Sequence, residues 1–103
     1  MRYKIFILVL VVGLLMASLS VQAATTTVNI QNNAFTPKDL TIKSGDTITW
    51  TNQDSVKHDV DFGTFKSPLL GKGETYSHTF DKAGTYDYDC DVHPSMKGRV
   101  MVQ

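Results

Sequence analysis

The chain is 103 residues long, which allows one domain around one core. Ten Lys and Arg stand against ten Asp and Glu, so there is no basic excess to neutralise phosphates, and composition gives no support for a nucleic-acid ligand. Hydrophobic residues make up 42% of the chain and are unevenly spread, with a dense run near the N-terminus. Arg2 and Lys4 precede an uncharged stretch from Ile5 to Leu19, and Val21-Gln22-Ala23 then offers small residues around a cleavage position. A basic start, a short apolar run and a small-x-small site predict a secretory signal over residues 1–23. The competing reading, a retained anchor, needs about 20 apolar residues, more than this run supplies. Cleavage after Ala23 leaves 80 residues with eight cations and ten anions, a net charge of −2. The expected mature protein, residues 24–103, is periplasmic or secreted and has no stable membrane association.

Beyond Ala24 the apolar residues alternate with polar ones, the period of half-buried strands. In chain order the alternating pairs and triplets are Val28 and Ile30, Leu40 and Ile42, Ile48 and Trp50, and Val60 and Phe62. They continue with Tyr76, His78 and Phe80, then Tyr86, Tyr88 and Cys90, then Val100 and Val102. Turn chemistry separates them at Ser44-Gly45-Asp46, Gly71-Lys72-Gly73 and Asp81-Lys82-Ala83-Gly84. Phe62 to Leu70 is irregular, and Pro68 makes it a loop with at most an edge strand. No segment keeps a helical period. About seven short strands predict an all-β antiparallel sandwich or barrel.

Export makes the cysteine count informative, because oxidising compartments favour paired thiols. Cys90 is alone, so no internal disulfide can form and the thiol is a candidate for other chemistry. It opens the run Cys90, His93, Met96, with two residues between successive members. A thiolate, an imidazole and a thioether together suit copper passing between Cu(II) and Cu(I), whereas zinc has little use for a thioether. A second imidazole completes such a set. His58 follows the strand carrying Trp50 through a short polar connection and begins an alternating segment. His78 lies mid-strand between Tyr76 and Phe80 and reads as an ordinary strand histidine. His58 is therefore the expected partner.

These residues resemble the cupredoxin family of type 1 blue copper proteins, in its amicyanin-like form. Three segments carry the resemblance: Val56 to Val60, Gly84 to Cys90, and the ligand segment through Met96 into Lys97-Gly98-Arg99-Val100. The short gap between His93 and Met96 is amicyanin-like, since plastocyanins and pseudoazurins have a longer one. The resemblance implies a Greek-key β-sandwich of about seven to eight short strands. It implies one copper ion with His58, Cys90 and His93 as equatorial ligands and Met96 as the axial one. Two positions depart from the family pattern: Asp59 replaces an Asn that often follows the first ligand, and Val92 replaces a Pro that often precedes the second histidine.

Three strong ligands and a weak one leave no position for substrate, so the expected protein is a one-electron carrier and not an enzyme. The competing class is a copper protein for storage, delivery or sensing. A monomer with redox protein partners is expected, and the resemblance suggests a c-type cytochrome or an amine dehydrogenase. Electrons are expected to leave by the ring edge of His93. Asp87, Asp89 and Asp91 share a parity opposite Cys90 and form a solvated face or an acidic docking patch. The Asp59 amide is an expected donor to the Cys90 sulfur, and the Val92 amide is a second one if the turn points it there; the charge of Asp59 matters less if its carboxylate is hydrated at the surface.

Overall fold

A computed structural model of the protein describes residues 22–103. The expected signal segment therefore lies outside the described residues except for its last two positions. Alternating burial sets the seven strands. They are β1 (Thr25–Gln31), β2 (Ala34–Thr36), β3 (Asp39–Ile42), β4 (Asp46–Asn52), β5 (Thr75–Phe80), β6 (Gly84–Cys90) and β7 (His93–Val102). In β4 the threonines 47, 49 and 51 are half-buried, while Asp46, Ile48, Trp50 and Asn52 are buried. Among the described residues there is no helix.

The strands form two sheets, a four-stranded one in the order β2-β1-β4-β5 and a three-stranded one in the order β3-β7-β6. Val28, Ile30, Ile48 and Trp50 from the first sheet meet Ile42, Tyr88, Cys90, Val100 and Val102 from the second in one core. Trp50 is central and donates its indole N–H to the Tyr88 hydroxyl at 3.1 Å, which satisfies a buried donor across the sandwich. Tyr88 lies opposite Gly98 in the β6–β7 register, and a methyl group at Gly98 would overlap the Tyr88 ring. Glycine at that position is what lets the ring lie flat on the neighbouring strand.

The all-β sandwich matches the alternation, with three differences. The sheets are mixed, since β1 pairs parallel to β4 and β3 parallel to β7. Chain connections that cross between the two layers separate these partners, which permits parallel pairing. The three-residue β2, between apolar runs, is too short to leave an alternating signature. The alternating segment at Val60 and Phe62 is not a strand. It makes isolated bridges only, His58 with Leu70 and Asp61 with both Lys66 and Asp89. There the Val60 amide donates to the Ser67 hydroxyl at 2.9 Å instead of continuing a backbone ladder, and Pro68 has no N–H to offer.

Candidate metal centre

Three elements deliver the chemistry-bearing side chains to one end of the sandwich. Cys90 is the last residue of β6, and His93 is the first of β7. Their register pairs Cys90 with His93 after an irregularity at Asp89 and Cys90, so only Asp91 and Val92 form the turn. The segment between Cys90 and Met96 is thus mostly strand. His58 comes from the connection after β4. Its backbone pairs with Leu70, with N–H···O distances of 3.2 and 2.7 Å in the two directions.

The buried Asn52 organises that connection. Its side-chain NH2 donates to the carbonyls of Val56 at 3.0 Å and Leu70 at 2.7 Å, and its Oδ1 accepts the Asp54 amide at 2.9 Å. A short polar stretch after a strand would ordinarily be mobile. Here one fully buried amide fixes both of its sides.

The potential ligand atoms of His58, Cys90 and His93 lie within 4.8 Å of one another. Both histidines turn Nδ1 toward the sulfur, at 3.7 Å for His58 and 4.0 Å for His93. His58 and Cys90 are fully buried and His93 is partly exposed. Met96 is buried on β7 three residues after His93. His78 is elsewhere: its ring stacks on Phe65 with centroids 3.9 Å apart and meets the edge of Phe80. Burial there lowers the His78 pKa.

Burial also pushes the Cys90 thiol up, against the pull of nearby backbone amides. The Asp59 amide reaches the sulfur at 3.4 Å. The amides of His93 and Val92 also pull the thiol down, each by less than the Asp59 amide. The Asp59 carboxylate is not hydrated at the surface. It is 4% exposed, and its Oδ1 accepts the Asp91 amide at 2.6 Å, which ties the His58 segment to the β6–β7 turn.

The His58 Nε2 meets Asp54 Oδ2 at 2.9 Å. Asp54 in turn accepts the amides of Asn32 at 2.9 Å and Asn33 at 3.0 Å, and the Asn33 amide leads in holding its carboxyl below the ordinary range. Sequence reasoning missed both Asp54 and Asn52. The signal available was weak, a carboxylate and an amide four and six residues before His58.

Asp87 and Asp89 of β6 and Asp91 of the turn after it do not form a bare acidic patch. Arg99 pairs with Asp87 at 2.6 Å, Lys97 with Asp89 at 3.5 Å and Lys66 with Asp91 at 3.2 Å. Solvent-exposed pairs of this kind add little stability, but they cancel most of the local field.

Two imidazole nitrogens and a sulfur converge at one end of the sandwich, and with the thioether of Met96 three residues beyond His93 the donor types suit copper. A family profile described as the Cupredoxin-like domain matches residues 4–102. Amicyanin from Paracoccus denitrificans is 40% identical over 83 residues, 74% of this chain and 63% of that protein. Amicyanin-alpha from Methylorubrum extorquens is 38% identical over 101 residues, 91% of this chain and 85% of that protein. Among solved structures, the Cu(I) form of a single-substitution variant of amicyanin aligns with a TM-score of 0.74 and 38% identity, covering 77% of this chain and 82% of that one.

Proposed function

Because the chain belongs to the cupredoxin-like domain family, we propose that it is a blue copper electron carrier working in the periplasm or outside the cell. His58 Nδ1, Cys90 Sγ and His93 Nδ1 would hold one copper ion, with the Met96 thioether as a weak fourth ligand. The observation that carries this reading is the convergence of those two nitrogens and the sulfur within 4.8 Å. When bound, copper supplies a Cu(II)/Cu(I) couple. Everything else is supplied by the chain.

The backbone itself fixes the donors. His58 is fixed by its backbone pairing with Leu70, and Cys90 and His93 are fixed by the β6–β7 register. Ligands held this firmly move little when the charge at the centre changes, which suits rapid electron transfer. The Asp59 amide stabilises the Cys90 thiolate. Full burial of His58 and Cys90 excludes water and suits a retained ion more than an exchangeable one, which favours a carrier over storage or delivery. With four side chains to hold the ion, no position would be left for substrate, in keeping with a carrier and not an enzyme.

His93 is the part-exposed ligand and so the port through which electrons pass. Three exposed apolar side chains sit on the segments beside the two histidines: Val92 next to His93, Val56 two residues before His58, and Leu69 next to its partner Leu70. They suit contact with a redox protein. The segment 1–23 is a removable export signal, and 24–103 is the working domain. Voltammetry of the purified protein with one equivalent of copper tests this reading. A reversible one-electron wave supports it. A protein that takes up zinc alone and shows no wave contradicts it.

A further inference from the structure

We propose that Asp54 is a positioning residue for His58, and that the β1–β2 turn acts on the metal centre through it; this rests on reading that centre as a copper site. The geometry is a chain of three links. Asn32 and Asn33 both adopt left-handed backbone, with φ of 55° and 54°, which asparagine tolerates better than most residues. Successive amides in that turn converge on one point, a concavity suited to an anion. The Asp54 carboxylate fills it, with one oxygen accepting from each amide.

The Oδ2 oxygen that accepts the Asn33 amide also meets His58 Nε2 at 2.9 Å. An ionised carboxylate only accepts, so the proton of that bond belongs to Nε2. Nδ1 is then the unprotonated nitrogen, and it faces the Cys90 sulfur. Asp54 therefore selects the tautomer that a metal needs and fixes the ring plane. Ligating histidines are commonly oriented by a partner of this kind. His58 is fully buried and Asp54 is only 16% exposed at its side chain, so the bond is shielded from competing water. The Asp54 amide is itself held by Asn52 Oδ1, which leaves the carboxylate little freedom to swing away.

The negative charge of Asp54 beside His58 favours Cu(II), so removing the carboxylate raises the reduction potential. The test uses the full domain, residues 24–103, in the parent form and as Asp54→Asn and Asp54→Ala. Long-range proton–nitrogen NMR on the metal-free proteins reports the His58 tautomer and the exchange of its ring proton. The parent shows a protonated Nε2, and that proton exchanges faster in Asp54→Ala on the order of tenfold or more, the scale of a charge-assisted hydrogen bond. The copper-loaded proteins are compared by voltammetry, where both variants have potentials above the parent. An equal exchange rate in the parent and Asp54→Ala, or parent-like potentials in both variants, overturns the proposal. Absence of a thiolate-to-copper absorption band in the parent contradicts the copper reading instead, and the metal-free NMR comparison still decides whether Asp54 positions the ring.

Discussion

Asp59 follows His58 directly, and its burial changes what its charge does. A hydrated surface carboxylate would act on the centre through high dielectric, but this one is enclosed and bonded to the Asp91 amide. Asp59→Asn keeps an acceptor for that amide and removes one negative charge. The expected outcome is a higher reduction potential by about 1–2 kcal/mol, the scale of one charge at intermediate dielectric, or roughly 40–90 mV for one electron. Val92→Pro removes a weaker dipole facing the sulfur, so its potential falls by less than Asp59→Asn raises it, and the visible band survives. Voltammetry of both variants at fixed pH and salt measures the two shifts together. His78→Ala keeps colour and potential, and loses about 1 kcal/mol of stability from the stack on Phe65. Cys90, His93 and Met96 were legible because their spacing is short and their chemistry rare. Asp54 was not, because a carboxylate before a histidine has no distinctive type or spacing, and its role depends on amides contributed by the β1–β2 turn.

At the level of elements, strand periodicity was readable and strand partnership was not. Alternation states which face a residue takes, and β4 and the C-terminal part of β7 follow it closely. It does not state which neighbour a strand pairs with, so the parallel pairs β1–β4 and β3–β7 left no mark in the sequence. The Val60–Phe62 segment shows the converse, with a good pattern whose backbone ladder is interrupted by the Ser67 hydroxyl. Two substitutions probe the elements. Gly98→Ala pushes a methyl group into the Tyr88 ring and should cost about 1–3 kcal/mol in urea unfolding, as overpacking does. Asp46, at the start of β4, accepts the amides of Ala24 and Lys43, and these hydrogen bonds hold its carboxyl below the ordinary value of 3.8. A carboxyl lowered in the folded state binds fewer protons there than in the unfolded state, so its contribution is complete above the ordinary value and fades as pH falls through the lowered one. Acid unfolding of Asp46→Asn should therefore be less steep than that of the parent in that window.

Across the whole molecule, the centre joins parts that are far apart in the chain. His58 lies in the connection between β4 and β5, in one sheet, while Cys90 and His93 lie on strands of the other. A domain of this size has a small core, and a ligand that binds only the folded form adds stability by mass action. The metal-free protein should melt well below the copper form in calorimetry, and equal melting temperatures at saturating copper would argue against a site spanning the two sheets. The paired aspartates 87, 89 and 91 predict a second whole-molecule property: association with a redox partner at this face should depend only weakly on ionic strength. The central claim is that His58, Cys90 and His93 bind copper through a thiolate, and the visible absorption spectrum of the protein with one equivalent of Cu(II) tests it most directly. An intense thiolate-to-copper band, present in the parent and His78→Ala but absent from Cys90→Ala, is the expected result. A colourless parent, or a band that persists without Cys90, would contradict it.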